Sequence, residues 1–383
     1  MNYNEISIQK HKESKGKMEI KSKFPLETKD DLSIGYTPGV AAVCKLIAEN
    51  PEAVYTHSIK ANTIAVVSDG SAVLGLGNIG PEASLPVMEG KSILFKEFGN
   101  VDAFPICLDT QDTEEIIKAV KLIAPALGGI NLEDISAPRC FEIEERLKQE
   151  LKIPVFHDDQ HGTAVVVLAG ILNALKIVDK NLENIKIIMN GAGAGAMAVT
   201  NILMRAGAQG KNVIMFDSRD SLYEGREGMN EYKAKMASQT NPEKIQGLEN
   251  ALRGADVFIG LSVADVLKPE WVEGMSDKPI VFAMANPNPE ISYDTAQQTK
   301  IAVFGTGRSD YPNQINNVLA FPGIFRGVLD ARAPQITEEM KLAAAHAIAS
   351  LITEEELQQG TVIPKATDKR VGSIVAEAVK KCV

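Results

Sequence analysis

Five short apolar segments in the second half of the chain constrain its fold more than any other feature. Most of them end in Gly, Asn or Asp, and helical patterns such as residues 196–208 lie between them. Strands that are buried on both faces of a parallel sheet are expected to have this composition. The repeated order of strand, helix and strand predicts a doubly wound sheet, which binds ligands beyond the carboxyl ends of its strands. The five segments are 185–190, 212–217, 256–261, 279–286 and 301–307.

The first half of the chain shows a less regular alternation. Apolar runs at 63–70 and 103–109 alternate with helical stretches such as 113–127, which indicates a mixed α/β arrangement. A chain of 383 residues is long enough for two hydrophobic cores. We therefore predict an α/β protein with a mixed α/β domain at 1–157, a doubly wound Rossmann-type domain at 158–335 and a helical segment at 336–383.

The first apolar segment of the doubly wound sheet runs directly into the sequence GAGAGA. Gly191, Gly193 and Ala196 match the G-x-G-x-x-G/A turn, whose positions allow a tight turn, close approach of a pyrophosphate and close helix packing. Small residues also form turns without a ligand, but here the strand, the helix and the second strand occur at the required spacing. The pattern predicts a dinucleotide-binding site at Gly191, Ala192, Gly193, Ala194, Gly195 and Ala196.

Asp217 ends the second of these segments, 26 residues after Gly191. A carboxylate at this position accepts hydrogen bonds from the adenosine ribose and repels the 2′-phosphate of NADP. We therefore expect NAD to be preferred over NADP by a factor of about 10 in kcat/KM, about 1.4 kcal/mol. Arg219 offers an alternative, since it is able to hold a 2′-phosphate, and the choice of cofactor stays open.

Two pairs of carboxylates adjoin apolar segments: Glu133 with Asp134, and Asp158 with Asp159. We expect these side chains to project into a cleft, where clustered negative charge needs a cation. Ligation by oxygen alone suits magnesium or manganese. Each pair also has a purely structural interpretation, as charge at a helix amino terminus and as an Asp cap before a helix that starts near Gly162.

Two histidines, His157 and His161, are four residues apart, a spacing that also occurs in zinc sites. If the following helix starts near Gly162, their imidazoles do not share one helical face. Oxygen ligands therefore remain the preferred interpretation of this segment.

Charge and cysteine content narrow the class of function. A formal net charge of −10 argues against a nucleic-acid partner, because phosphate binding needs a basic surface. The four cysteines are scattered and form no C-x-x-C pair, which favours a reducing cytoplasm. The longest apolar run, at 164–172, is shorter than the roughly 18 residues of a membrane span. We expect a cytoplasmic protein that acts on small molecules, without a nucleic-acid or membrane partner.

Seven segments resemble, in order, motifs of the malic enzyme family, in its small bacterial-type form. The resemblance implies oxidative decarboxylation of malate to pyruvate and carbon dioxide, with reduction of NAD or NADP and a requirement for Mg²⁺ or Mn²⁺. It also implies a homodimer. The segments are 30–41, 67–91, 131–135, 156–163, 191–196, 282–290 and 313–323.

The resemblance assigns two proton carriers, Tyr36 as a general acid and Lys91 as a general base that also contacts the substrate. From the sequence alone, Tyr36 reads as a buried packing residue and Lys91 as a solvated surface lysine. A lysine acts as a base only when its ammonium form is destabilised, and we expect burial and a nearby cation to lower the pKa of Lys91.

The resemblance also implies ligands for the metal and for malate. The metal ligands of the family correspond to Glu133, Asp134 and Asp159. Asp158 resembles a catalytic residue that supports these ligands without binding the metal. Asn286 and Asn317 resemble the asparagines that bind malate, and Asn286 is also expected to contact the cofactor.

One departure from the larger eukaryotic-type enzymes concerns substrate recognition. Those enzymes have a malate-binding arginine two residues after the DG pair, whereas Asp69 and Gly70 are followed here by Ser71 and Ala72. We hypothesise that a helix capped by Thr37 offers free N–H groups of residues 37–41 to the malate carboxylate.

Two rival functions stay open at this point. A malolactic-type enzyme would use the same residues, keep its cofactor bound and release lactate. A nucleotide-sensing protein would keep the fold and lack the chemistry, since a fold alone does not fix function.

Overall fold

A computed structural model describes residues 3–73 and 75–383 and contains two parallel sheets. The first sheet has the strand order β2-β1-β3-β4. Leu132 of β3 lies opposite Val67 of β1 and opposite His157 of β4, so the carboxyl ends of these three strands meet at one edge. The strands are β1 (Thr63–Ser68), β2 (Asp102–Cys107), β3 (Gly129–Leu132) and β4 (Val155–His157).

Seven helices belong to this half of the described chain. Phe95 of the longest of these helices, α5, contacts Phe321 and Phe325 of a later helix, at ring-centroid distances of 4.6 and 5.2 Å. This aromatic contact joins the two halves of the protein. The helices are α1 (Tyr3–Ser14), α2 (Lys29–Gly35), α3 (Val40–Glu49), α4 (Val54–His57), α5 (Pro81–Gly99), α6 (Thr113–Ile123) and α7 (Arg139–Glu150).

The second sheet confirms the prediction of a doubly wound Rossmann-type domain. Its order is β6-β5-β7-β8-β9, all neighbouring pairs are parallel, and every strand residue is buried. The strand order reverses between β5 and β7, which is where such sheets bind ligands. Each strand lies within one of the five predicted apolar segments: β5 (Ile187–Asn190), β6 (Val213–Phe216), β7 (Val257–Gly260), β8 (Ile280–Ala283) and β9 (Val303–Thr306).

Helix α8 (Asp158–Val178) follows β4 without a loop and passes through the core. It begins at Asp158, so the predicted start near Gly162 is wrong. Among the described helices, α8 alone is long and apolar enough to cross a membrane, by length and composition only. Within its apolar window, 72% of the helix is buried inside the protein, which is the burial of a core helix.

The remaining α-helices belong to the second half of the chain, and five of them, α9 and α14 to α17, pack on α5 or α8. Helix α17 contacts α14, α15 and α5, and α15 contacts α8. The helical pattern predicted for the last segment is therefore observed, while the exact boundaries at 157/158 and 335/336 stay predictions. The helices are α9 (Ala194–Arg205), α10 (Glu231–Ala237), α11 (Leu248–Leu252), α12 (Pro269–Glu273), α13 (Tyr293–Ala296), α14 (Phe321–Ala331), α15 (Glu338–Ala349), α16 (Glu354–Gln358) and α17 (Arg370–Lys380).

The described part of the N-terminal arm, residues 3–50, has no buried residue in any of its three helices. Its exposed side chains are nevertheless largely apolar over residues 20–46. Many exposed apolar side chains in one segment are typical of a contact with another molecule. The large exposed hydrophobic residues are Ile20, Phe24, Leu26, Leu32, Ile34, Tyr36, Val40 and Leu46.

Candidate active site

The two predicted carboxylate pairs meet at the carboxyl edge of the first sheet. Glu133 and Asp134 follow β3, and Asp158 and Asp159 open α8 directly after β4. The Asp134 N–H donates a hydrogen bond of 2.8 Å to Asp159 Oδ2, which joins the two segments. Oxygen atoms of Glu133, Asp134 and Asp159 all lie within 4.8 Å of one another. The structure therefore brings the three predicted metal ligands together.

Burial makes this carboxylate cluster electrostatically unfavourable without a cation. Burial, and then the charge of Asp159, raise the pKa of Asp134 to about 8. Burial also raises the pKa of Glu133 well above its usual value, although Lys91 opposes this shift. Asp134 Oδ2 is buried and has no hydrogen-bond partner among the described residues. A hard cation with oxygen ligands fits this donor set.

The two histidines do not join the cluster as zinc ligands. His157, at the end of β4, occupies the N-cap position of α8 without a capping hydrogen bond from its side chain, whereas His161 lies inside the helix. His161 Nε2 is 2.9 Å from Glu144, and its Nδ1 is 3.1 Å from Lys341 Nζ. In the described part of the chain, the side chains that lie close enough together to share a metal ion are all carboxylates.

Lys91 of α5 lies at the centre of the buried charges. Its Nζ is 2.7 Å from Asp158 Oδ2 and 2.9 Å from Glu133 Oε1, and the residue is 8% exposed. The ammonium also lies over the Phe321 ring, 4.4 Å from its centroid. Burial alone would lower the pKa of Lys91, but Asp158 and Glu133 outweigh it and raise this pKa. Burial therefore acts on this pKa in the expected direction and the neighbouring carboxylates act against it, while the expected effect of a nearby cation stays a prediction.

Asp158 links Lys91 to Asn317, which lies before α14. Asp158 is fully buried, and its Oδ2 accepts hydrogen bonds from Lys91 and from Asn317 Nδ2. Burial raises the pKa of Asp158 to about 6, with Lys91 opposing the shift. A Cβ at Gly162 would lie 1.8 Å from Asp158 Oδ1 and 3.2 Å from the Asn317 Cβ. The glycine four residues into α8 therefore creates the space in which Asp158 and Asn317 meet.

Asn286 lies where the loop of the first half that contains Gly75 approaches the second sheet. A Cβ at Gly75 would be 2.9 Å from the Asn286 backbone oxygen, and a Cβ at Gly307 would be 3.2 Å from Asn286 Nδ2. Its side chain makes one long hydrogen bond, 3.4 Å to the Met284 carbonyl. Asn286 thus borders both halves of the protein, but it is not hydrogen-bonded to Lys91 or Asp158.

Arg139, at the start of α7, was missed by the sequence analysis. Its Nη2 donates to Asp69 Oδ2 at 2.8 Å and to Ser71 Oγ at 3.1 Å. The Ala72 N–H in turn donates to the Asp134 carbonyl at 3.0 Å. The loop after the DG pair is therefore fixed beside a predicted metal ligand by a guanidinium from another segment. Only the sheet register, which places these segments side by side, reveals this arginine.

The hypothesis that a helix capped by Thr37 offers free N–H groups is wrong for the cap and for residues 39–41. Helix α3 starts at Val40 and has Gly39, not Thr37, at its N-cap position. The N–H groups of residues 39–42 already donate to the backbone carbonyls of Ser33, Tyr36, Pro38 and Gly39, in that order. They are not available to a substrate carboxylate.

Tyr36 lies at the end of α2 and is not enclosed with the other predicted site residues. It is 68% exposed, in contrast to the buried Lys91. Both interpretations from sequence alone, a buried tyrosine and a surface lysine, are therefore wrong. Within one chain, the structure joins Lys91, Asp158 and Asn317 and leaves Tyr36 at the surface.

The glycine turn adjoins a cavity of about 670 Å³ that includes Asn190, Asp217 and Leu261 in its lining. Gly191 has φ +138°, and a Cβ there would lie 2.6 Å from the Leu261 carbonyl oxygen, so glycine is required. Gly193 is the N-cap of α9, and nothing lies within 4 Å of its hypothetical Cβ. The helix amino terminus is therefore open to a phosphate group.

Asp217 forms ion pairs with cationic side chains that the sequence analysis did not identify. Its two oxygens accept hydrogen bonds from Arg226 at 2.9 and 2.5 Å, and Lys233 Nζ lies 2.8 Å from Oδ2. The N–H groups of Arg219 and Asp220 also donate to Oδ1. The hydrogen bonds from Arg226 hold the pKa of Asp217 well below its usual range. Lys233 lines the cavity beside Asp217, which places a positive charge near the expected ribose position.

Family models match both halves of this arrangement. "Malic enzyme, N-terminal domain" matches residues 15–148, and "Malic enzyme, NAD binding domain" matches residues 160–383. The chain belongs to the malic enzyme family. The predicted resemblance is thereby confirmed, as is the prediction of an NAD(P)-dependent oxidoreductase.

Individual malic enzymes are similar over nearly the whole chain. The NAD-dependent malic enzyme of Geobacillus stearothermophilus is 61% identical over 365 residues, 95% of this chain and 76% of the relative. The bifunctional malic/malolactic enzyme of Bacillus subtilis is 55% identical over 383 residues, 100% of this chain and 93% of the relative. The crystal structure of the NAD-dependent malic enzyme of Thermotoga maritima superposes with a TM-score of 0.93 at 49% identity and covers 98% of both chains. The similar malic enzymes include some that are named NAD-dependent and others that are named NADP-dependent.

Proposed function

We propose that the protein oxidises malate and releases carbon dioxide to give pyruvate, with NAD or NADP as the acceptor and Mg²⁺ or Mn²⁺ as the metal. The observation that carries this proposal is the buried contact of Lys91 with Asp158 and Glu133, beside further carboxylates and near the glycine turn. A Cβ at Gly195 of that turn would lie 3.1 Å from the Asp159 backbone oxygen. The dinucleotide helix and the carboxylate cluster are thus in direct contact.

Glu133, Asp134 and Asp159 are the residues that would hold the divalent cation. When bound, such a cation polarises a carbonyl group and stabilises the negative charge that decarboxylation develops. Asn131 supports this site, because its Nδ2 donates to Glu133 Oε2 at 2.8 Å and fixes that carboxylate.

Lys91 is proposed to accept the proton of the malate hydroxyl while hydride leaves the same carbon for the nicotinamide. The carboxylates that raise its pKa are the proposed metal ligands and Asp158, so their neutralisation favours the neutral amine that a base requires. Asp158 and Phe321 hold the Nζ in place from two sides. Asn317 fixes Asp158 and is proposed, with Asn286, to contact malate.

Tyr36 is proposed to protonate the enol carbon from the opposite subunit of a homodimer. The N-terminal arm exposes its apolar side chains. In the described chain, the main packing partners of its helix α3 are α4 and the adjoining turn at residues 51–53. A second copy would cover this surface in a symmetric dimer. Tyr36 lies on the same arm and would enter the partner's site.

Mixing two inactive variants tests this shared site. Tyr36→Phe and Lys91→Ala subunits are mixed, unfolded and refolded together. If Tyr36 acts across the interface, one site of each mixed dimer contains both native residues, and about one quarter of wild-type malate turnover returns. If Tyr36 acts within its own chain, the mixture stays as inactive as the separate variants. Ultracentrifugation of the wild-type protein provides the matching measurement of the dimer.

Metal affinity is expected to depend on pH. The raised pKa of Asp134, about 8, means that its carboxyl is protonated at neutral pH without metal, and a cation must displace this proton. Affinity for Mn²⁺ should therefore fall as pH falls below about 8, by about tenfold per pH unit for each displaced proton. Titration calorimetry from pH 6 to pH 8 measures the slope, and Asp134→Asn should flatten it. A constant affinity over this range would contradict the proposed role of Asp134.

The choice between NAD and NADP is expected to depend on Lys233 as well as on Asp217. Arg226 and Lys233 together offset the single charge of Asp217, so the predicted repulsion of a 2′-phosphate is weakened. We still expect NAD to be preferred. Lys233→Gln should lower kcat/KM for NADP by about tenfold and change that for NAD much less. The exposed Lys211→Gln on the same domain is the control, and equal losses with both cofactors would contradict this role of Lys233.

A malolactic reaction is the second candidate function, because a relative named as a malic and malolactic enzyme is 55% identical. One assay tests both functions: purified protein with malate, Mn²⁺ and either NAD or NADP, followed by absorbance and product analysis. Net formation of reduced dinucleotide with pyruvate supports the malic enzyme reaction. Lactate without net reduction supports the malolactic reaction, and no metal-stimulated turnover of malate would overturn both.

A cytoplasmic location and the absence of nucleic-acid and membrane partners are also proposals. The four cysteines are free thiols in the structure, two exposed, which suits a reducing compartment. Fractionation of cells that express the tagged protein tests the location.

A further inference from the structure

A second cavity, of about 520 Å³, lies between α7, α8, α9, α10 and α15. Phe141 and Tyr232, whose ring centroids are 4.4 Å apart, line both this cavity and the dinucleotide cavity and so lie between the two. The volume is within the range of small-molecule sites. None of the residues to which the proposed reaction assigns a role lines this second cavity.

The lining of this helix cavity is positive overall. It contains three cationic side chains, Arg205, Lys235 and Lys341, and one carboxylate, Glu338. Lys341 is only 3% exposed, and its ammonium donates to Glu338 Oε1 at 2.5 Å and to His161 Nδ1 at 3.1 Å. Because His161 accepts at Nδ1 and donates from Nε2 to Glu144, it is a neutral imidazole in this chain of contacts. Arg205 Nε also lies 3.5 Å from Glu338 Oε2, so this one carboxylate is shared by two of the three cations and leaves a net positive charge in the lining.

The rest of the lining combines the amides Gln160, Asn201 and Gln239 with apolar side chains. Thioether side chains on α9 and α10 provide flexible contact area for an aliphatic group. The thioethers are those of Met197, Met204 and Met236, and Ile202 adds a further aliphatic side chain.

We propose that the helix cavity binds a small organic carboxylate, whose anionic group pairs with Arg205, Lys235 and Lys341 and whose aliphatic part contacts the methionines. Charge-assisted hydrogen bonds from arginine and lysine favour a carboxylate over a neutral ligand. The apolar wall favours an acid with a carbon chain over a bare inorganic anion.

The position of this cavity couples it to the proposed active site. Gln160 and His161 of its lining follow Asp158 and Asp159 directly in the first helical turns of α8. Met197 lies on the first turn of α9, next to the glycine turn. A ligand that contacts both helices changes malate binding if it favours one arrangement of these turns. Occupancy of the cavity therefore alters the saturation of the enzyme with malate.

Binding is tested by titration calorimetry of the full-length protein with hexanoate. Hexylammonium, with the same chain and opposite charge, and inorganic phosphate, with charge and no chain, are the comparison probes. We expect hexanoate alone to bind, and the double variant Arg205→Gln with Lys235→Gln to weaken binding by about tenfold or more. Lys211→Gln should leave it unchanged. Equal binding of hexylammonium, no binding of hexanoate, or no effect of the double variant would overturn the site.

Coupling is tested by malate kinetics with and without saturating hexanoate. We expect the KM for malate to change by about fivefold, and this change to disappear in the double variant. Binding without any change in KM would overturn the coupling and leave the site in place. This kinetic test rests on the proposed malate reaction, whereas calorimetry does not, so a failure of either proposal can be told apart from a failure of the other.

Discussion

Replacement of Lys91 by methionine is expected to lower kcat for malate oxidation by about three to four orders of magnitude. Methionine keeps much of the side-chain volume against Phe321, but no base remains for the malate hydroxyl. Asp158 and Glu133 also lose their ammonium partner, and, being buried, they are expected to take up protons instead. The loss should therefore be chemical, with the fold retained.

Steady-state kinetics with malate, and separately the decarboxylation of oxaloacetate, measure this effect. Malate oxidation should be lost most, because oxaloacetate carries no hydroxyl proton to remove. Lys96→Met is the matched control, since Lys96 is an exposed, ion-paired residue of the same helix. Circular dichroism and dinucleotide binding verify that both variants fold. Malate oxidation by Lys91→Met within tenfold of the wild-type rate would show that another group is the base.

The second large effect concerns the metal ligand Asp159. Asp159→Ala is expected to reduce malate turnover by about three orders of magnitude, because the proposed cation loses one of three protein ligands. The fold should tolerate the change, since the Asp159 side chain is 36% exposed and its main internal contact is one hydrogen bond with Asp134.

Two measurements separate loss of metal from loss of structure. Calorimetry with Mn²⁺ should show much weaker binding by Asp159→Ala, and turnover should recover in part at high Mn²⁺. Asp294→Ala, which removes an exposed carboxylate of α13, is the control. Full wild-type turnover in excess chelator would rule out the metal assignment.

The second sheet was predictable because a local property of the sequence determines it. A strand covered by helices on both faces is expected to be mainly apolar, and β5 to β9 are so, apart from Asn190 and Thr306 at the carboxyl ends of β5 and β9. The glycine turn is local in the same way. Both features can therefore be identified without knowledge of the tertiary structure.

The active-site contacts were not predictable from such local patterns, because they join distant segments. Asp158 and Asn317 are 159 residues apart, and the Asp158 contact of Lys91 spans 67. Polarity alone suggested that Lys91 is solvated, and only the family resemblance indicated a buried role. The cations around Asp217 were missed for a different reason: Arg226 and Lys233 are only 9 and 16 residues away, but the segment between them and Asp217 has no regular pattern that predicts its path.

The absence of a side chain at Gly162 has a consequence for the evolution of this helix. Glycine inside a helix is intrinsically less favourable than alanine by about 0.5–1 kcal/mol, so helix propensity alone favours alanine at this position. A methyl group there would occupy the space of the Asp158 carboxylate, which is held by Lys91 and Asn317. Helix propensity and the packing of the site therefore favour opposite residues at a single position, and the glycine is a local cost in helix stability that this helix carries in order to hold Asp158 in place.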